Sequence, residues 1–130
     1  MSVLDTHIWF WWINGELAKL SGAQAEAVRA SPRVGVCAVS GYWLANAVHG
    51  GRIELIVPLQ EWFAKGVTGA RIDLLPLAPE IASRAVSLTD RHGDPFDRII
   101  IATSVEIDAQ LACADGEFRA YPELAGRLLA

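Results

Sequence analysis

Apolar and polar residues along this chain switch repeatedly between short continuous apolar runs, as in buried strands, and the spaced pattern of helices. Ser2 to Leu4 reads as a short first strand, and His7 to Ile13 begins an unusually aromatic helix that Asn14-Gly15 stops. From Glu16 to Ala30, Leu17, Leu20, Ala25 and Val28 recur at helical spacing, with a break near Ser21-Gly22 and an end at Ser31-Pro32. Val34 to Val39 is the second predicted strand. Ser40 is placed to cap a helix reaching His49, which Gly50-Gly51 closes, and Pro58 to Lys65 forms another with its proline at a tolerant early position.

Arg71 to Leu75 is the third predicted strand, and Ile81, Ala82, Ala85 and Leu88 mark one face of a helix from Pro79 to Leu88. Asp94-Pro95-Phe96-Asp97 is a strong helix start: a capping Asp, a proline at the first helical position and a second carboxylate three residues after the cap. Leu111 to Ala114 reads as a further buried strand. Strands alternate with helices without a repeat, a low-complexity stretch or an internal linker, which points to an α/β class with a parallel sheet.

A chain of 130 residues, 52% hydrophobic, suffices for one well-buried core and is short for two, so residues 1–130 are expected to form one domain. The cluster Ile8-Trp9-Phe10-Trp11-Trp12-Ile13 does not read as an export signal, because Asp5 and His7 stand where a basic segment belongs and Glu16 follows soon after. No apolar run approaches the roughly 20 residues of a membrane span. The expected compartment is the cytoplasm. In a reducing compartment Cys37 and Cys113, both in apolar runs, are most simply small core residues, which argues against zinc. A net charge of -4 speaks against broad electrostatic binding of nucleic acid, although nine of the eleven basic residues are arginines suited to phosphate. Two divalent cations would cancel that charge, so metals can mediate contact with a polyanion.

Three aspartates sit at predicted element edges: Asp5 after the first strand, Asp97 at a helix start and Asp115 after the last strand. In an open α/β sheet the carboxyl ends of strands and the adjoining helix starts line the ligand crevice, so these carboxylates are candidates to converge as a cation site. Each also has a plain structural explanation. Acids in a first turn offset the helix dipole and its free amides, and an Asp before Gly116 is an ordinary turn former.

Three segments together resemble a PIN domain of the VapC toxin type: Leu4-Asp5-Thr6-His7 with its tryptophans, His92-Gly93-Asp94-Pro95-Phe96-Asp97-Arg98-Ile99-Ile100 with Ala102-Thr103, and Ala114-Asp115-Gly116-Glu117-Phe118. The likeness spans nearly the whole chain in the expected order. It implies a three-layer α/β/α fold with a mainly parallel central sheet, cleavage of RNA with Mg²⁺ or Mn²⁺, and Asp5, Asp97 and Asp115 as the metal-site and catalytic acids. It also implies a homodimer, held inactive by a small VapB-like antitoxin that wraps the first helices and inserts a basic side chain near the acids.

The family supplies one more acid, a Glu in a Ser-x-x-Glu pattern, but here Ser40-Gly41-Tyr42-Trp43 puts Trp43 in its place. Tryptophan cannot ligate a hard cation. Glu54 lies beyond the Gly50-Gly51 stop, and Asn46, one helical turn from Trp43, offers only a neutral oxygen. With three carboxylates instead of four, two adjacent ions repel more strongly. One metal site is expected to persist, with a weakened or absent second and reduced phosphodiester hydrolysis.

Around these acids, Thr6 is a candidate either to bond the metal water or to cap the first helix. His92 and Asp94 are expected to organise the loop and helix start, Arg98 to pair with a carboxylate or touch substrate phosphate, and Glu117 to be either an outer-shell acid or an inert turn residue. Trp9, Trp11 and Trp12 cannot all face one way on a helix, so at least one is expected at a groove or subunit contact, with the others in the core, as are Trp62 and Phe63. A catalytically impaired member acting as an antitoxin- or RNA-binding module is the second reading. Phospho-receivers and haloacid-dehalogenase-like phosphatases fit less well: the only lysines are Lys19 and Lys65, and His7 stands where the latter need a second Asp.

Overall fold

A computed structural model describes residues 1–90 and 93–129. Among the described residues, five strands form one sheet: β1 (Ser2–Leu4), β2 (Val34–Cys37), β3 (Asp73–Leu75), β4 (Gln110–Ala112) and β5 (Leu128–Leu129). Their order is β3-β2-β1-β4-β5, and every pairing is parallel. In this register Leu4 stands between Val36 and Ala112.

Strand side chains alternate between the two faces of a sheet. Val3, Cys37 and Leu111 therefore pack on one side against Ile81 and Ala85 of α5 (Pro79–Ser87) and Ile100 and Ile101 of α6 (Pro95–Glu106). Leu4, Val36 and Ala112 pack on the other against Ile8 and Trp9 of α1 (Thr6–Ile13), Val28 of α2 (Gly22–Ala30), Leu44 of α3 (Ala38–His49) and Trp62 of α4 (Leu59–Phe63). The result is the expected three-layer α/β/α arrangement. A sheet covered on both faces needs strands that are apolar throughout, which is why β1 and β2 read as continuous runs.

The aromatic content of α1 is resolved by direction. Trp9 is fully buried, its Nε1 donates to the Gly66 carbonyl at 2.9 Å, and its ring meets Trp62 edge-on at 4.9 Å. A buried indole needs such a partner for its N–H. Gly66 lies in a wide helical turn that continues α4 over Ala64–Gly69, where a Cβ would come within 2.9 Å of the Trp62 ring. Trp62 is core, Phe63 packs at its margin, and Trp11 and Trp12 remain half-buried.

Several element boundaries differ from the sequence reading. β2 ends at Cys37 because Ala38 and Val39 already belong to α3. Ser40 therefore does not cap that helix. It lies inside it, fully buried, and its hydroxyl pairs with Thr6 Oγ1 at 2.8 Å, a tertiary bond that joins α3 to α1. The stretch 16–30 divides into a short 3₁₀ turn, Leu17–Lys19, and α2, which starts with a capping box between Ser21 and Gln24. Arg71 turns with a φ of 55° instead of starting β3. The last predicted strand stops at Ala112, since the Ala114 amide is drawn to Asp5, and β5 is too short for a periodic signal. No helix among the described residues is long and apolar enough to cross a membrane.

Candidate functional site

The chain runs outward from β1 through β2 to β3, then returns to the opposite side of β1 for β4. The reversal leaves a crevice beyond the carboxyl ends of β1 and β4, the switch point where open α/β sheets bind ligands. Asp5 follows β1 directly, Asp115 follows β4, and the first turn of α6 brings Asp97 over the same edge. All three line one cavity of about 370 Å³, together with Asp94, Thr6, His7, Trp11, Trp43, Phe96 and Ala114.

Asp5 is buried and held at both oxygens. Oδ1 accepts from the Ile8 amide at 2.8 Å, capping α1, and Oδ2 accepts from the Ala114 amide at 2.8 Å. A carboxylate oxygen has two lone pairs, so each keeps one for a further partner. Burial raises the Asp5 pKa above its usual value, as does the Asp115 charge, and the two amides and His7 oppose the shift. Asp115 caps a 3₁₀ turn over Gly116–Ala120, its Oδ1 accepting from the Glu117 amide at 2.9 Å.

Asp97 takes no hydrogen bond among the described residues. Its carboxyl is pushed up to about 7, first by burial and then by the charges of Asp94, Asp5, Asp115 and Glu117. Among the described residues no arginine or lysine lines the cavity, and the ion pairs Lys19–Glu16, Arg33–Asp73, Arg84–Glu106 and Arg127–Asp108 involve none of these acids. Carboxylate oxygens whose charge, His7 apart, has no basic partner among the described residues fit a hard divalent cation such as Mg²⁺. The acids share a wall without forming a closed cage: among the described residues, no three His, Cys, Asp or Glu side chains form a ready-made metal ligand group.

The remaining candidates separate cleanly. Thr6 lines the cavity but does not cap α1, a role Asp5 fills, because its hydroxyl is taken by Ser40. Asp94 caps α6 as expected, Oδ1 accepting from the Phe96 amide at 2.7 Å, and it also lines the cavity. Among the described residues Arg98 forms no ion pair with a carboxylate and does not line the cavity. Its guanidinium donates to the carbonyls of Ala85, Leu88 and Thr89 and to Tyr121 Oη, so it ties α6 to the end of α5, whose last carbonyls lack helical partners. Glu117 does not line the cavity and acts on Asp97 only through its charge. His92 lies outside the described residues.

Trp43 borders the same cavity, facing His7 edge-on at 5.2 Å. Sequence reasoning missed His7 and Phe96 as cavity residues. The available signals were that His7 lies two residues past Asp5 and that Phe96 stands between two acids in a first helical turn. Neither cysteine is poised as a thiolate: burial, opposed by Thr103, pushes Cys37 up to about 11, and burial, aided by Asp5, pushes Cys113 up to about 12.

A three-layer domain with a parallel sheet and acids after the first strand, in the first turn of the last long helix and after the fourth strand defines a class. The chain belongs to the PIN-domain family, whose model matches residues 2–124. Within that family it is of the VapC type: it is 31% identical to Ribonuclease VapC22 of Mycobacterium tuberculosis (strain ATCC 25618 / H37Rv) over 120 residues, 92% of this chain and 90% of that one. Its fold is shared with a toxin-antitoxin complex from Klebsiella pneumoniae (TM-score 0.64, 16% identity, covering 100% of this chain and 97% of that chain). It is shared equally with VapBC2 from Rickettsia felis bound to a DNA fragment from its promoter (TM-score 0.67, 14% identity, covering 98% and 97%).

Proposed function

We propose that this chain is the toxin of a VapBC-type toxin-antitoxin pair, a metal-dependent endoribonuclease that uses Asp5, Asp97 and Asp115 to hold Mg²⁺ or Mn²⁺. The observation that carries the proposal is the convergence of these acids on one cavity wall where, among the described residues, no arginine or lysine stands beside them. A bound ion of this kind lowers the pKa of a water and stabilises charge on a phosphodiester. Asp5 contributes a carboxylate whose direction two backbone amides fix. Asp115 is oriented by the Glu117 amide, and Asp97 projects from a helix start that Asp94 caps. Trp43 leaves the set one carboxylate short, so a single well-held ion and a reduced rate are part of the proposal.

Residues 1–130 act as one domain in the cytoplasm, as a homodimer restrained by a VapB-like antitoxin. A second groove, about 570 Å³, supports an antitoxin partner: Phe10 and Ile13 of α1 face Leu55, Ile56 and Val57 there, and Ile56 is fully exposed. An exposed apolar surface of this kind is characteristic of a docking site.

Incubation of the purified chain with RNA in Mg²⁺, Mn²⁺ or EDTA tests the proposal. Cleavage that EDTA abolishes and that Asp97→Asn removes is the expected result. The second reading, a catalytically impaired module that binds antitoxin or RNA, is favoured by Trp43 on the cavity wall. Undiminished binding with no cleavage under any metal would establish it instead.

A further inference from the structure

The acid cavity is walled by rings that a cation and a phosphate alone do not require. Phe96, beside Asp97 in the first turn of α6, stacks on Tyr42 of α3 with centroids 5.9 Å apart and planes 28° from parallel. Tyr42 is 65% exposed, and neither ring belongs to the two core clusters or their packed margins. The pair therefore packs on itself, with Phe96 on the cavity wall and Tyr42 outside it. Trp43, the residue after Tyr42 in α3, lines the same cavity as Phe96, half-buried, and the Arg52 guanidinium lies over its ring at 5.8 Å.

Charge makes these rings useful. A chain of net charge -4 with a wall of carboxylates repels a polyanion, so attraction between charges cannot by itself bring RNA to this site. Stacking of unpaired bases on aromatic side chains does not depend on phosphate charge and tolerates any base, because every base has a π-face. Arginine over an aromatic ring adds a cation positioned for a phosphate next to a stacked base.

We propose that Tyr42, Phe96 and Trp43 form a stacking surface for unpaired nucleobases flanking the phosphate at the acid site, with Arg52 meeting the adjoining backbone. The inference rests on the ribonuclease reading and adds the residues that hold the substrate by its bases instead of by duplex shape.

The test uses the full chain and a fluorescein-labelled unpaired RNA of about ten nucleotides, beside the same RNA carrying abasic riboses at its centre. Binding is followed by fluorescence anisotropy in Mg²⁺ and in EDTA. Intact RNA is expected to bind at least about tenfold more tightly than abasic RNA, the scale of one lost stacking partner. Tyr42→Ala and Phe96→Ala each lose about that factor on intact RNA and little on abasic RNA, and Phe96→Trp retains it. Tyr42 is exposed enough that its truncation leaves the core untouched, and the two RNAs are compared on the unaltered chain. Equal affinity for both RNAs, or variants that lose as much on abasic as on intact RNA, overturns the inference while leaving cleavage in place. A chain that neither binds nor cleaves either RNA overturns the ribonuclease reading as well.

Discussion

The Ala114 amide donates to Asp5 Oδ2 at 2.8 Å, joining the end of β1 to the end of β4 across 109 positions of sequence. The same carboxylate caps α1 through the Ile8 amide, so one side chain sets the start of a helix and the separation of two strands. The acid most central to the site is thus also a structural link.

Asp5→Asn is isosteric, yet whichever way the amide is turned, its NH₂ meets a backbone N–H donor. One bond is lost and a buried donor is left without an acceptor, a cost of about 1–3 kcal/mol. Urea denaturation should show a loss of that size along with lost cleavage. An unchanged midpoint would mean that the two amides do not hold Asp5 in solution.

Asp97 should behave in the opposite way, since among the described residues no donor bonds to it, and burial, followed by its acidic neighbours, raises its pKa to about 7. The folded chain then keeps a proton that the unfolded chain, with an ordinary value of 3.8, has already released. The associated stability is present below about pH 4 and is lost as pH rises toward 7. Burial shifts Asp5 in the same direction. Without added metal, the melting temperature should therefore be lower at pH 8 than at pH 6. Asp97→Asn should raise it at pH 8, flatten the slope and abolish cleavage, and Mg²⁺ should stabilise the parent chain more than the variant. A variant less stable than its parent at pH 8 contradicts this account.

Trp43→Glu adds a carboxylate to the cavity wall and removes a ring from it. Mg²⁺ affinity by calorimetry and turnover at saturating RNA should both rise, with each tenfold gain in rate worth about 1.4 kcal/mol. KM for RNA should worsen as the stacking surface is lost. If Mg²⁺ affinity and turnover are both unchanged, position 43 is not where the additional acid acts.

Arg98→Ala removes a guanidinium that serves three backbone carbonyls at the junction of α5 and α6. Hydrogen bonds from charged groups contribute about 1.5–3 kcal/mol, and stability should fall by roughly that amount. Cleavage per folded molecule should be unaffected. A selective loss of RNA affinity would return Arg98 to the substrate contacts.

Much of the fold was legible because its central strands β1 and β2 are largely buried and its helices carry clear stop signals such as Asn14-Gly15, Ser31-Pro32 and Gly50-Gly51. Asp94-Pro95 marked the start of α6 at its true position, because an Asp cap and a proline with fixed φ act locally. Ser40 misled for the converse reason. A serine before a helical run is a local signal for a cap, but a buried hydroxyl follows its tertiary partner, here Thr6.

The sequence by itself determined the alternation of strands and helices, the placement of three acids at element edges and the tryptophan where a fourth acid is expected, since periodicity, capping and motif spacing all act over a few residues. Only the tertiary structure decided that the order β3-β2-β1-β4-β5 brings β1 and β4 together, that Arg98 turns to α5 instead of the cavity, and that His7, Phe96 and Trp43 share a wall with the acids. Those outcomes depend on which distant segments compete for the same backbone groups and the same buried volume. Asp5 and Ala114 meet because the sheet makes them neighbours, and no local pattern encodes that contact.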